Sequence, residues 1–229
     1  MFEWKLKDII EAKNSLSEDL KERPPIVTIM WHVDHGKTKL LDYLRQTDVV
    51  WKEAGSITQS IWASEITHDG KNITFIDTPW HELFTSMRAR GSKITDIAVI
   101  VVAADDWIKK QTIEAIDHAK AAWITIMVAI TKTDKPNANI DMIKSQMSEQ
   151  ELMPEDWWGK TSFVQLSSIT WEWINDFLEI INLQAEMLEL KYNPKAPAVW
   201  VVLEASKDSK IWIIATILPI TWILHKKDA

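Results

Sequence analysis

Apolar runs alternate with amphipathic segments along most of the chain, and this alternation predicts strands separated by helices. Buried strands are expected at residues 26–30, 97–104 and 124–130, the last two typical of a sheet covered on both faces, and a short strand is expected at 163–166. Helices, with apolar positions at helical spacing, are expected at residues 37–46, 111–122, 140–150 and 173–190. The order of these elements indicates an α/β fold with a doubly wound, mainly parallel sheet.

One segment follows a different pattern, in which apolar and polar residues alternate. Residues 61–66 show this alternation, Asp69-Gly70 favours a tight turn, and residues 73–76 provide a second strand. We therefore expect an antiparallel hairpin at one side of the parallel sheet.

The character of the chain changes after Tyr192, where prolines interrupt the pattern. Two strands are expected at 198–205 and 211–218, and they are antiparallel because no helix separates them. The chain is therefore divided into an N-terminal arm or linker at residues 1–23, an α/β domain at 24–192, and the beginning of a truncated β-barrel domain at 193–229.

Composition narrows the class of protein. The 229 residues include no cysteine, so a disulfide framework and a thiolate metal site are excluded. No apolar run approaches the ~20 residues of a membrane span, and the N-terminus lacks the apolar core of a signal peptide. We expect a cytoplasmic protein without a membrane partner. The net charge of −7 argues against nonspecific nucleic-acid binding by the whole surface.

The segment between the first strand and the first helix, WHVDHGKT, carries a phosphate-loop pattern whose first glycine is replaced by Trp31. Gly36, Lys37 and Thr38 stand in the order that this loop requires. Backbone N–H groups of such a loop hold phosphate oxygens. Lys37 would neutralise the β- and γ-phosphates, and Thr38 would offer its hydroxyl to Mg²⁺.

Other candidate residues follow later strands. Because ligands bind beyond the carboxyl ends of parallel strands, segments that follow several strands are expected to meet at one edge of the sheet. The candidates there are Asp77, Thr131 to Asp134, and the Ser167-Ser168 pair.

The functional group of each candidate side chain indicates a role. Hydroxyls of Thr38 and Thr58 can bind Mg²⁺ directly, with Asp77 acting through water. Thr58 fits an ordinary loop threonine equally well. Asp134 can accept hydrogen bonds from N1 and N2 of guanine, whereas adenine presents an acceptor at N1. The stem of Lys132 can cover the ring, and His81 can position an attacking water.

The combined motifs resemble those of translational GTPases, and most closely the G domain of bacterial translation initiation factor two. The resemblance covers residues 23–229 and rests on the segments RPPIVTIM, HVDHGKT, LLDYLRQTDVV, FIDTP, FTSMRARG, QTIEAI and HAKAA, with the serine loop. It implies a P-loop GTPase fold for residues 24–192, with GTP or GDP and Mg²⁺ as ligands.

The resemblance also implies further residues and partners. Asp34 and His35 would join the nucleotide-binding loop, Thr131 would take the place of the usual asparagine, and the Ser168 N–H would face the guanine O6. The implied partners are the small and large ribosomal subunits and, through a domain absent from this chain, initiator tRNA. A monomer that hydrolyses GTP on the ribosome is expected.

Tryptophan replaces family glycines at several places, among them Trp31, Trp80 and Trp107. The chain has 5 glycines and 14 tryptophans, whereas an average protein of this length has roughly 16 glycines. An alternative therefore remains open, in which the chain is a non-enzymatic GTPase-fold remnant, recoded, designed or mis-assigned, whose nucleotide pocket is blocked by Trp31 and Trp80.

Overall fold

The structure, a computed structural model, describes residues 20–31, 62–77, 94–167, 174–194, 199–208 and 212–220. The strands within these residues are β1 (Lys21–Glu22), β2 (Ile26–Trp31), β3 (Trp62–His68), β4 (Lys71–Asp77), β5 (Ile97–Ala103), β6 (Thr125–Thr131), β7 (Ser162–Gln165), β8 (Lys191–Tyr192), β9 (Trp200–Asp208) and β10 (Trp212–Pro219). The α-helices are α1 (Lys110–Ala121), α2 (Ile140–Glu149) and α3 (Ile174–Met187), and a short 3₁₀ helix covers Glu155–Trp157.

Six strands form the central sheet, in the order β3-β4-β2-β5-β6-β7. All neighbouring pairs are parallel except β3 and β4, which form the antiparallel hairpin expected from the alternating segment. Asp69 and Gly70, both at positive φ, make the turn of this hairpin. The mainly parallel α/β fold predicted from the sequence is therefore confirmed.

Successive residues of β5 alternate between two hydrophobic layers, because side chains of a strand point to opposite faces. Ala98, Ile100 and Val102 belong to a cluster that includes buried residues of α1 and α2. The intervening residues of β5 belong to a second cluster, which includes Phe177 and Ile181 of α3. The described helices thus cover both faces of the sheet, as in a doubly wound fold.

Two small sheets flank the central one. The short strand β1 pairs with β8, so residues just before the first long strand contact the segment that follows α3. Strands β9 and β10 form an antiparallel hairpin, as expected from the sequence. Val201 and Leu218 of this hairpin are buried in the same hydrophobic cluster as α1 and α2. The boundaries of the three parts of the chain stay a prediction.

Arg23 fixes the start of β2. Its guanidinium makes two hydrogen bonds of 2.7 Å to the carboxylate of Asp96, and its backbone N–H donates to the carbonyl of Leu190 at 3.1 Å. Asp96 also accepts a hydrogen bond from the backbone N–H of Ile26 at 2.9 Å. These contacts together connect the start of β2, the segment before β5 and the segment after α3.

Within the part of the chain that the structure describes, none of the helices combines the length and the apolar character needed to cross a membrane.

Candidate functional site

The carboxyl ends of the parallel strands lie at one edge of the sheet. Trp31 at the end of β2 pairs with Val101, and Ala103 at the end of β5 pairs with Thr131 at the end of β6. Asp77 ends β4, which runs parallel to β2. The segments after these strands therefore leave from the same edge of the sheet.

The segment Thr131 to Lys135, which begins at the last residue of β6, is named the base loop. Its first residue is buried, and the Thr131 hydroxyl donates to the carbonyl of Val102 at 3.3 Å. The backbone N–H of Ala104 donates to the carbonyl of Thr131 at 2.8 Å. Both bonds fasten the start of the base loop to the end of β5.

The base loop is also connected to the segment after β7. The Thr133 hydroxyl donates to the carbonyl of Leu166 at 3.3 Å, and the Ser167 hydroxyl donates to Oδ1 of Asp134 at 2.8 Å. The backbone N–H of Leu166 bonds to the carbonyl of Ile130 at 2.7 Å. These three bonds hold the loops after β6 and β7 as one unit.

Asp134 presents an exposed carboxylate at this edge. An ionised carboxylate has about four lone-pair positions, so the bond from Ser167 leaves capacity for further donors. Two adjacent N–H donors on a planar ring, as in guanine, suit such a carboxylate. The residues present therefore fit a guanine base.

Lys132 has an unusual backbone conformation and an ion-paired side chain. Its φ is 59°, in the left-handed region that residues other than glycine seldom adopt. Its ammonium lies 3.4 Å from Oδ1 of Asp105, whose other oxygen accepts a hydrogen bond of 2.5 Å from Lys135. The side chain of Asp105 is 13% exposed. Two cations of the base loop thus share one largely buried carboxylate.

The two lysines lower the pKa of Asp105. Its partial burial acts in the opposite direction and would raise the pKa, but the hydrogen bond from Lys135 and the charge of Lys132 outweigh it. Asp105 is therefore ionised at neutral pH and carries a full negative charge beneath the base loop.

The structure brings together four of the residues predicted from the sequence, namely Thr131, Lys132, Asp134 and Ser167. For Asp77 it describes only the backbone position at the end of β4. The other predicted residues lie outside the described part of the chain, namely Asp34, His35, Gly36, Lys37, Thr38, Thr58, His81 and Ser168. Among the described residues, no group of three or more His, Cys, Asp or Glu side chains has the arrangement of a metal site.

Sequence reasoning missed two residues of this site, Asp105 and Lys135, and it gave no role to Thr133 within the predicted segment. Asp105 comes two residues after β5, a position that satisfies the criterion used for the other candidates. Applying that criterion to every buried strand would have included Asp105. The hydrogen bond of Thr133 joins loops 33 residues apart, so no local pattern indicates it.

A surface groove of about 740 Å³ lies at the opposite edge, near the amino ends of β2 and β4. It is bordered by groups of both charge signs, including Arg23, Lys71 and Glu186. The groove is separate from the base loop and shares none of its residues.

Comparison with known proteins gives a consistent result. Residues 22–187 match the family model described as the elongation factor Tu GTP binding domain. The chain is 52% identical over 212 residues to translation initiation factor IF-2 of a Nitratiruptor species, covering 92% of this chain and 25% of that protein. It is 55% identical over 220 residues to translation initiation factor IF-2 of Carboxydothermus hydrogenoformans, covering 96% of this chain and 27% of that protein.

Solved structures show the same fold. The GDP-bound aIF5B from Aeropyrum pernix superposes with a TM-score of 0.70 at 31% identity, covering 87% of this chain and 42% of that one. The elongation factor SelB from Methanococcus maripaludis, solved with the GTP analogue GppNHp, gives a TM-score of 0.64 at 24% identity, covering 89% and 43%. The chain spans about a quarter of the length of the curated relatives above.

Proposed function

The chain belongs to the family of the elongation factor Tu GTP-binding domain, and we propose that it is the GTP-binding part of a translation initiation factor. It binds GTP and GDP with Mg²⁺ and acts as a molecular switch in the initiation of protein synthesis. Identity of 52–55% to IF-2 proteins over almost the whole chain supports the initiation role.

The observation that supports the proposal most strongly is the hydrogen bond from Ser167 to Asp134. A base loop fixed by this hydrogen bond places a carboxylate where the loops after two parallel strands meet. Guanine would donate N1–H and N2–H to this carboxylate, and adenine would leave it unpaired beside an acceptor. The stem of Lys132 would cover the ring, and Ser168 would offer its N–H to O6.

The triphosphate would lie at the same sheet edge, after β2. Gly36 and Lys37, with Asp34 and His35 in the same loop, would hold the phosphates. Magnesium, when bound, neutralises charge between the β- and γ-phosphates. The residues that would hold it are Thr38, Thr58 and Asp77.

Hydrolysis is assigned to a water positioned by His81. Catalysis in this class depends mainly on positioning and charge stabilisation, so turnover by the isolated chain is expected to be slow. The proposed partners are both ribosomal subunits in the cytoplasm, with initiator tRNA bound by a part of the protein beyond these residues. The chain itself is expected to be monomeric.

The substitution Asp134→Asn tests the base assignment. It keeps an oxygen for the Ser167 bond and turns the second carboxylate atom into an N–H donor. We expect GDP affinity to fall and xanthosine diphosphate affinity to rise, so that the preference reverses by roughly 10²-fold or more.

Competition binding with both nucleotides, compared with the parent chain, measures this change. Glu149, exposed at the end of α2, offers a control that also exchanges a carboxylate for an amide, and Glu149→Gln should leave the preference unchanged. An Asp134→Asn chain that still prefers guanine would refute the role of Asp134.

A further inference from the structure

A carboxylate beneath the base loop has no part in the roles described so far. Asp105 lies two residues after the end of β5, and its side chain is 13% exposed. Buried carboxylates are rare unless they are paired, and this one is paired with cations from the base loop. Its position suggests that it stabilises the conformation of that loop.

The backbone of Lys132 requires such stabilisation. A non-glycine residue at φ 59° has a strained conformation that persists only where its surroundings enforce it. The Lys132 ammonium lies 3.4 Å from Oδ1 of Asp105 and forms an ion pair with it at the far end of the side chain. The carbonyl of Lys132 accepts a hydrogen bond from the Lys135 N–H at 3.2 Å, which fixes the backbone.

We propose that Asp105 is a positioning residue of the nucleotide site, which acts by holding Lys132 in place to cover the guanine base. This inference rests on the proposed function, because it assumes that the base loop binds guanine. Asp105 itself does not touch the nucleotide. Lys135 makes the second ion pair with Asp105, but its role is to neutralise the carboxylate.

A double-mutant cycle on GDP affinity tests the mechanism, because residues that act through one another show non-additive effects. Asp105→Asn should weaken GDP binding roughly tenfold. In a Lys132→Met background, Asp105→Asn should weaken GDP binding less than about twofold, because the side chain that Asp105 positions is absent. Asp105→Glu should restore part of the affinity.

Lys135→Met is the matched control, because it removes the other cation of the same carboxylate. Asp105→Asn should still weaken GDP binding roughly tenfold in that background. An equal loss in the Lys132→Met background would overturn the proposal, because it would show that Asp105 acts independently of Lys132.

Hydrogen exchange tests the positioning role of Asp105 in the absence of nucleotide, and so independently of the proposed function. In the nucleotide-free chain, Asp105→Asn should speed exchange of the Lys135 amide, whose acceptor is the Lys132 carbonyl. Exchange of amides within α2 should stay unchanged. If GDP binds neither to the parent chain nor to a chain with Trp31→Gly and Trp80→Gly, the proposed function fails. Unchanged exchange at Lys135 would by itself overturn the positioning role.

A second, independent observation concerns the tryptophans. Helix α1 ends in a Schellman motif, in which the N–H of Trp123 donates to Lys120 O at 2.9 Å and that of Ile124 donates to Ala119 O at 3.1 Å. Trp123 occupies the left-handed position of this motif, with φ 54°, and is 88% exposed. Glycine is the usual residue at this position because it has no Cβ.

Trp158 repeats this combination of features. It follows the 3₁₀ helix with φ 65° and is 98% exposed. The next residue is Gly159, where an added Cβ would lie 1.9 Å from the carbonyl oxygen of Met153. Tryptophan is highly buried on average, so two almost fully exposed tryptophans at left-handed positions contradict the usual behaviour of this residue.

We infer that positions 123 and 158 are glycine positions of this fold, at which the cells that express the gene insert glycine. In those cells, a codon that is translated as tryptophan in the printed sequence would be translated as glycine. The inversion in composition, with 14 tryptophans and 5 glycines, is the result expected of such a codon.

Peptide mass spectrometry of the protein purified from its native cells decides between the two residues. Glycine in the peptides that contain positions 123 and 158 is the expected result. Tryptophan at either position would overturn the inference.

Stability measurements test the structural reason. In the chain as printed, Trp123→Gly and Trp158→Gly should each raise the thermal midpoint by about 2–4 °C, because they relieve a left-handed side chain. Trp157→Gly is the matched control, since Trp157 lies in the 3₁₀ helix and is 41% exposed. It should not raise the midpoint, and a rise equal to that of the other two would contradict the argument.

Discussion

At the scale of single residues, the base loop is held by hydrogen bonds and ion pairs to neighbouring loops. Thr133 and Ser167 connect the segments after β6 and β7, while Asp105 connects the base loop to the end of β5. Each of these side chains contacts a group far away in the sequence. The loop therefore keeps its shape only when the edge of the sheet is assembled.

The ion pair between Arg23 and Asp96 is expected to contribute to the stability of the folded protein. Asp96 is 8% exposed and depends on the guanidinium for two of its hydrogen bonds. Arg23→Ala should lower the free energy of unfolding by about 1–3 kcal/mol, because it leaves a largely buried carboxylate short of donors. Urea denaturation at neutral pH measures the change.

A matched control is available on the surface. Lys71 and Glu186 form an ion pair in which both side chains are more than half exposed. Solvent screens such pairs, so Lys71→Ala should leave the unfolding midpoint nearly unchanged. An equal loss of stability in both variants would show that burial of Asp96 has no special effect.

At the scale of elements, the hydrophobic pattern predicted the described helices and the long strands to within a few residues. Their ends are less accurate because local hydrogen bonds, rather than hydrophobicity, determine them. The long helix was expected at 173–190, but α3 ends at Met187 and Glu189 adopts a left-handed φ of 47°. Strand β1 has two residues and no detectable periodicity, so the pattern did not reveal it.

The candidate site was predictable to the extent that it depends on topology. Residue type and position after a buried strand were sufficient to select Asp134, Lys132 and Ser167, because parallel strands bring such residues to one edge. The sequence could not show which side chains bond to one another. The approach of Asp105 to Lys132 depends on the register between β5 and β6, which the pattern of apolar residues does not encode.

At the scale of the whole molecule, the faces of the sheet and its carboxyl edge have different roles. Its faces are covered by helices and provide stability, while the carboxyl edge gathers loops that bear polar and charged side chains. The hairpin of β9 and β10 contributes to the same hydrophobic cluster as α1 and α2. The edge with the base loop is therefore the part of the molecule where we propose that the nucleotide binds.

We propose that this edge forms a single site for a guanine nucleotide. Isothermal titration calorimetry of the chain with GDP in Mg²⁺, and with ADP as control, measures this binding. A parallel titration of the variant Trp31→Gly with Trp80→Gly shows whether the indoles obstruct the site. We expect saturable binding of one GDP, with no heat from ADP. Absence of GDP binding by both chains at millimolar nucleotide, or equal binding of GDP and ADP, would contradict the proposal.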